Sequence, residues 1–432
     1  MEVGQQTLRD SLPAPDPSRR RTVVAGAIGN VLEWYDFAIY GFFAATIGRQ
    51  FFPRANELDS LIAAFGVFAA GYLMRPIGGL VFGYVGDTYG RKATLVLSTA
   101  AMAIPTFAIG LLPTAAQVGA LAPMLLVAFR LLQGFSIGGE YTGSLVYLVE
   151  RAQPHRRGLF GTFSILGAGV GTLAGSATAA LVSGLLPDDA VESWGWRLPF
   201  LAGILIGLVG LYLRRRMPQA HQGSGAEEAS LAKLAHALRT EWPAIPKIAG
   251  LNVMHAVAFF MIFIYMKTYL QEQVGIARTE ALVITTIALM ALMALTAAFG
   301  ALSDRVGRKP VLIASAIAMV LCAYPLLLVM NVPSFGVLLA GQLAFAVIVG
   351  AYAGTAPATI AEMLPHGIRV TGSSLGYNLC MALFGGTTPV ITIYLIKVTH
   401  TDLTPAFYLM AAAAVSLAVV IGLRESARRP LA

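Results

Sequence analysis

The feature that most constrains this chain is a series of apolar runs long enough to cross a lipid bilayer. A membrane-spanning helix needs about 20 mostly apolar residues, and the 432-residue chain offers twelve such runs. Charged residues make up only 12% of it, against about 25% in soluble domains, too few to cover a water-facing surface of this size. The sequence therefore predicts an all-α integral membrane protein. Spans 1 to 12 are expected at 23–48, 59–82, 93–112, 119–147, 158–186, 197–213, 246–270, 281–301, 310–330, 335–361, 370–399 and 403–423.

The spans fall into two groups of six, separated by the one long polar stretch between runs. The loop after span 2 reads GYVGDTYGRK (83–92), and the loop after span 8 reads GALSDRVGRK (300–309). Two halves that carry the same loop indicate pseudo-repeats with a substrate site at their interface. The predicted organisation is an N-terminal tail, a six-helix half, a central loop, a second six-helix half and a C-terminal tail, at 1–22, 23–213, 214–244, 245–424 and 425–432.

The distribution of basic residues predicts the orientation. Of the 30 lysines and arginines, 22 lie on one side of the predicted bilayer, five on the other, and three within or at the edges of spans. Cytoplasmic loops carry the excess of lysine and arginine in membrane proteins. Both tails and the 214–244 loop are therefore expected in the cytoplasm. The net charge of +8 follows from these clusters, and nucleic acid is not an expected partner.

Span 1 carries polar residues deep in the expected bilayer: Asn30, Glu33, Asp36 and Tyr40. Asp36 and Tyr40 follow Glu33 by three and seven residues, which places all three on one helix face. If the span begins near residue 23, Glu33 lies about 15 Å into the bilayer. Two carboxylates one turn apart at this depth should raise each other's proton affinity. They are the candidate proton-coupling groups, with Asn30 and Tyr40 as candidate substrate ligands.

Span 4 supplies the candidate counter-charge. Arg130 lies near the middle of the span, with Gln133 and Glu140 further along it. An arginine at this depth must face water or a carboxylate. Two functions remain open for Arg130: counter-ion to Glu33 or Asp36, or a fork for a substrate carboxylate. Gln133 is a candidate substrate ligand, and Glu140 is a further candidate for proton coupling.

The second half offers three candidate substrate ligands. His255 lies in span 7, and Tyr377 and Asn378 lie at mid-depth in span 11. An imidazole there could titrate near neutral pH. Span 11 continues through Gly385, Gly386 and Pro389, where the helix is expected to bend while threonine side chains satisfy the freed backbone groups.

The repeated loop resembles the best-known motif of the major facilitator superfamily. Three further strings are similar to the metabolite:proton symporter family within it: GNVLEWYDFAIYGF (29–42), RLLQGFSIGGEYTG (130–143) and WGWRLPF (194–200). The resemblance covers spans 1 to 12. It implies a conformational latch on the cytoplasmic side, formed by Asp87, Arg91, Asp304 and Arg308, which steadies the outward-open state. Each aspartate there can cap a helix N-terminus and pair with a nearby cation.

The resemblance also implies a proton-coupled secondary transporter of the bacterial inner membrane. The family includes carriers of citrate and related carboxylates, of 2-oxoglutarate, and of proline and betaine. GGEYTG (138–143) resembles the osmolyte branch, and FGGTTP (384–389) is similar to both branches. The favoured interpretation is import of a small carboxylate-bearing solute such as citrate. The alternative is symport of zwitterionic osmolytes; an organic-anion exporter is less favoured because span 5 lacks the Gly-Pro of drug exporters.

The sequence predicts neither an enzyme nor a cofactor-dependent protein. It contains no G-x-x-x-x-G-K-[ST] loop, the pattern that holds nucleotide phosphates, and no metal-ligand spacing. Its two cysteines, Cys322 and Cys380, both lie in apolar runs. The expected partners are the solute, protons and the lipid bilayer, and the expected functional unit is a monomer.

Overall fold

The computed structural model of the chain describes residues 17–53, 56–78, 81–82, 91–136, 140–215, 239, 242–365 and 368–431. Every regular element within these ranges is helical. The first six spans contain Pro17–Phe42 with Ala44–Phe51, Glu57–Leu73, Arg91–Leu111, Leu121–Phe135 with Glu140–Arg151, Arg157–Leu185, and Arg197–Arg215. The last six contain Ala244–Glu272, Arg278–Val306, Arg308–Val329, Phe335–Glu362, Arg369–Thr399, and Thr404–Gly422.

The helices account for all twelve predicted spans. Eight helices in the described part are long and apolar enough to cross a membrane, and the bent pair Asp188–Gly195 and Arg197–Tyr212 gives a ninth. Spans 3 and 4 contain the shorter apolar helices Val96–Leu111 and Leu121–Phe135. The helix of span 1 begins at Pro17, before the predicted start at 23, because hydropathy marks the bilayer edge and not the helix end.

The two halves meet mainly through spans 5 and 8, which pack along one another. Span 5 also packs against span 1 of its own half. Gly171 lies so close to Val31 that a Cβ there would collide with the Val31 carbonyl oxygen. The spacing of small residues at 167, 171 and 175 predicts this close approach.

Spans 7 and 11 each contain a π-helical turn, at Phe260–Tyr265 and Met381–Gly385. Such turns are rare and frequently lie at functional sites. In span 11 the hydroxyls of Thr387 and Thr388 donate to the carbonyl oxygens of Leu383 and Phe384, both at 2.5 Å. These bonds satisfy the backbone as expected for an irregular span 11.

Candidate functional site

Asp36 lies at the centre of a fully buried polar cluster in the N-terminal half. Its carboxylate accepts hydrogen bonds from Arg130 Nη1 at 2.6 Å, Gln133 Nε2 at 2.7 Å and Thr106 Oγ1 at 2.9 Å. All four side chains have 0% exposure. Because a buried charge needs a partner and further hydrogen bonds, spans 1, 3 and 4 are held together through this one carboxylate.

Glu33 has a different cation. Arg75 Nη2 donates to Glu33 Oε1 at 2.9 Å, and the Arg75 guanidinium lies 5.1 Å from the centre of the Tyr72 ring. The sequence predicted that Glu33 and Asp36 act on each other as like charges. Instead, each carboxylate is paired with its own arginine, Glu33 with Arg75 and Asp36 with Arg130.

A cavity of about 30 Å³ lies between the two halves. Two of the predicted substrate ligands, His255 and Tyr377, line it. The other lining residues are Trp34, Tyr141, Ile165, Leu166, Ala168, Gly169, Phe259, Leu289, Leu292, Met293, Thr296 and Ala353. No lysine, arginine, aspartate or glutamate is among these lining residues of the described chain. With His255 neutral, the cavity is therefore an uncharged chamber.

Aromatic rings from both halves enclose the cavity. Trp34 of span 1 meets Phe259 of span 7 edge to face, with ring centroids 5.4 Å apart. Tyr141 of span 4 stacks on Tyr377 of span 11 at 4.6 Å. A buried cavity needs about 10–15 Å³ of free space to hold one water molecule. This chamber therefore has room for about two water molecules. The halves are closed around it in this conformation.

Several predicted substrate ligands do not line this cavity. Arg130 and Gln133 donate hydrogen bonds to Asp36 instead. The Arg130 guanidinium also lies 3.9 Å from the Tyr40 ring centre. The Tyr40 hydroxyl donates to the Ala64 carbonyl at 2.8 Å.

The two predicted asparagines bond locally or to a neighbouring span. Asn30 Nδ2 donates to the Ser164 carbonyl at 3.5 Å, and Asn378 Nδ2 donates to Ser374 Oγ at 3.1 Å. Neither residue is among those lining the cavity. Asp87 and the side chains of Arg91 and Glu140 lie outside the described residues.

The second copy of the repeated loop joins the halves at the end of the molecule that carries most basic residues, which we call the basic face. Asp304 of span 8 accepts from the backbone N–H groups of Gly158 and Leu159, at 2.7 and 2.9 Å. It thereby caps the N-terminus of span 5, where a negative charge is favoured. Arg308 pairs with Asp304 at 2.9 Å and with Glu362 at 3.3 Å.

Two further contacts support this face. Arg369 of span 11 pairs with Glu150 of span 4 at 2.5 Å, across the halves. After span 12, Glu425 accepts from the backbone N–H groups of Arg308 at 3.0 Å and Lys309 at 2.9 Å. Burial favours a higher pKa for Glu425, but these backbone donors outweigh burial and lower its pKa below the usual value. The segment predicted as a C-terminal tail thus packs against the repeated loop.

The opposite face is closed by ion pairs as well. Glu192, between spans 5 and 6, pairs with Arg49 at 2.8 Å and with Arg278 of the other half. Lys397 of span 11 pairs with Asp59 at the start of span 2. None of these residues was predicted from the sequence to be functional. The available signal was that Arg49, Arg278 and Lys397 are three of the five basic residues assigned to this side.

Comparisons with known proteins agree with this architecture. The family model described as "Sugar (and other) transporter" matches residues 22–221, and the "Major Facilitator Superfamily" model matches 248–431. The proline/betaine transporter of Salmonella typhimurium is 33% identical over 98% of this chain and 87% of its own length. The chain belongs to the major facilitator superfamily. This membership confirms the resemblance that the repeated loop indicated. Proteins of this superfamily are transporters and not enzymes.

Another relative and two solved structures also match nearly the whole chain. The ectoine/proline transporter of Corynebacterium glutamicum is 35% identical over 98% of this chain and 87% of its own length. A D-xylose–proton symporter structure matches with a TM-score of 0.77 at 18% identity, covering 95% of this chain and 99% of the other. The E. coli xylose transporter in a partially occluded inward-open conformation gives 0.76 at 19% identity, over 94% and 98%. The fold is that of the superfamily. Both sequence relatives are named for proline, betaine or ectoine, and neither is named as a citrate carrier.

Proposed function

We propose that this chain is a proton-coupled symporter that imports a zwitterionic solute of the proline or betaine type. This replaces citrate or another di- or tricarboxylate, favoured from the sequence, with the alternative. The observation that carries the proposal is the uncharged cavity between the halves. A di- or tricarboxylate moved into a water-poor chamber needs cations to offset its charge. With His255 neutral, the lining residues in the described part of the chain include none.

The aromatic rings of the cavity favour a solute with a cationic group. An ammonium over the face of Trp, Tyr or Phe is attracted by the ring quadrupole, and quaternary ammonium groups are recognised by aromatic cages. Trp34, Tyr141, Phe259 and Tyr377 provide such faces. A zwitterion has this cation and no net charge, which suits both the aromatic rings and the uncharged lining.

The proton site in this proposal is one of the two span-1 carboxylates. Both are buried and paired, Asp36 with Arg130 and Glu33 with Arg75. Protonating either acid removes the charge that its arginine needs and frees a guanidinium inside the protein. Such a change is large enough to alter how spans 1, 2 and 4 pack. The proton and the solute are thus bound at separate places and coupled through span 1, which carries Glu33, Trp34 and Asp36.

The transport cycle follows from the two closed faces. Asp304 and the Glu150–Arg369 pair join the halves at the basic face, and the Glu192–Arg278 and Asp59–Lys397 pairs join them at the opposite face. We propose that each set opens in turn while the other stays closed. The basic face is cytoplasmic in this proposal, with both termini on that side and the chain in the bacterial inner membrane.

Uptake by purified protein in proteoliposomes tests the proposal. With the lumen at pH 7.5 and the outside at pH 6, we expect accumulation of labelled proline or glycine betaine above equilibrium. A protonophore should abolish that accumulation. Citrate and 2-oxoglutarate, offered at the same concentration, should neither accumulate nor compete.

Two outcomes would reject the proposal. Competition by citrate at the level of betaine would restore the carboxylate interpretation. Loss of preloaded solute from the lumen, driven by inward proton flow, would make the protein an exporter. Protein-free liposomes under the same gradient give the background.

A further inference from the structure

Three buried polar groups that line the cavity have no hydrogen-bond partner among the described residues. They are Trp34 Nε1, His255 Nδ1 and Thr296 Oγ1. The three residues are 5%, 8% and 0% exposed, and all three line the same chamber. Buried polar groups are normally satisfied, so each unpaired one needs an explanation. Their common position around one chamber, which has room for about two water molecules, indicates that water or a polar group of a ligand satisfies them.

The three groups suit a carboxylate. The indole N–H of Trp34 can only donate, the Thr296 hydroxyl can donate, and a neutral imidazole presents one N–H donor. A carboxylate has two oxygens with about four acceptor positions, so it can accept from all three. Hydrogen bonds between neutral donors and an ionised oxygen are stronger than neutral pairs. No cation is required.

We infer that Trp34, His255 and Thr296 form an uncharged subsite for the carboxylate of the solute. This inference rests on the proposed function and adds to it the orientation of the bound zwitterion. Once the chamber has widened to admit the solute, the carboxylate lies toward span 8, which carries Thr296, while the cation faces the Tyr141–Tyr377 rings. Because Trp34 and Thr296 belong to different halves, the solute joins the halves when it binds. In this subsite, neutral hydrogen-bond donors and not an arginine recognise the carboxylate of the zwitterion.

Two matched pairs of solutes isolate the carboxylate. Choline carries the trimethylammonium group of glycine betaine with a hydroxymethyl group in place of the carboxylate, and pyrrolidine is proline without its carboxylate. Binding to purified full-length protein is measured by competition with labelled betaine and labelled proline. For the wild type we expect glycine betaine to bind more tightly than choline, and proline more tightly than pyrrolidine.

Removing the donors should weaken binding only of the solute in each pair that carries a carboxylate. Thr296→Val removes the hydroxyl at nearly constant shape, and His255→Leu removes the imidazole. Each should weaken betaine and proline about 10- to 100-fold, the range for a hydrogen bond to a charged group. Choline and pyrrolidine should be unchanged. His255→Gln keeps a donor and should recover part of the loss. Thr285→Val, the same change at a buried threonine of span 8 that does not line the cavity, is the control.

The outcomes separate this inference from the function on which it rests. Equal weakening of betaine and choline in the variants would mean that the residues only shape the cavity, and the subsite would be rejected. Unchanged betaine binding in both variants would reject it as well. Failure of the wild type to bind any zwitterion would instead reject the proposed solute class, and the subsite with it. The melting temperature of each variant in detergent shows whether it is folded.

Discussion

Asp36 accepts three side-chain hydrogen bonds in a part of the protein that water does not reach. It receives one charged and two neutral donors, and its four-residue cluster has no exposure to solvent. Removing one partner of a buried ion pair leaves an uncompensated charge, which costs more than the pair itself contributes. The same carboxylate can therefore be a structural centre and a proton acceptor, and the two roles can be measured separately.

Asp36→Asn should lower the stability of the protein by about 3–5 kcal/mol, because Arg130 is then buried without a counter-charge. Asp36→Asn combined with Arg130→Gln should recover most of the loss, since neither charge remains. The measurement is the thermal unfolding midpoint in detergent. If the double variant were less stable than the single one, the hydrogen bonds and not the charges would hold the cluster together.

Proton coupling gives a second prediction at the scale of residues. We expect either Glu33→Gln or Asp36→Asn to abolish substrate-induced proton uptake and uphill accumulation, while exchange of solute at equal concentrations continues. Neutralising the acid fixes it in a state that resembles the protonated one, so the carrier can still change conformation. Measurements use a pH-sensitive dye with proline or betaine as solute.

The double variant at Glu33 and Asp36 decides whether span 1 holds the proton site. Uptake of one proton per solute by that variant would move the proton site elsewhere, with Glu140 and His255 next to test. Glu57→Gln, on an exposed side chain at the opposite face, serves as the control.

Among the elements, spans 5 and 8 are joined where Asp304 caps span 5. Replacing a capping side chain costs about 0.5–2 kcal/mol, which is roughly a 2- to 30-fold change in a conformational ratio. Asp304→Ala should therefore open the basic face more often. A cysteine at Thr162, which is buried against Gly300 of the other half, should then react faster with a maleimide, in a background lacking Cys322 and Cys380. An unchanged labelling rate would show that the Asp304 cap does not control how often the basic face opens.

Elements were easier to predict from the sequence than the contacts between them. Hydropathy located the twelve spans, and the repeated loop identified the family. The same apolar pattern contains no information on which residues face one another across the halves. Thr296 is one hydroxyl in a long apolar helix, and Trp34 lies between two acids that attract more attention. For Arg130 the sequence left open a counter-ion role to Glu33 or Asp36 and a fork for a substrate carboxylate. Only packing separated the two acids and paired Arg75 with Glu33.

The whole molecule is two six-helix bodies joined at both faces, and the proposed transport cycle requires each face to open once. Asp59 and Lys397 form an ion pair between the halves at the opposite face, and Glu150 and Arg369 form one at the basic face. Each pair can be replaced by two cysteines. A short cross-linker between either pair of cysteines should stop net transport, because the cross-linked face can no longer open. Cysteines at Thr399 and Thr404, whose hydroxyls lie 2.6 Å apart within one half, should tolerate the same cross-linker. The measurement is proton-driven uptake before and after cross-linking, with a cleavable reagent that restores activity on reduction. Continued transport by either cross-linked pair would show that the halves move without separating at that face, contrary to the alternating cycle proposed from the two sets of contacts.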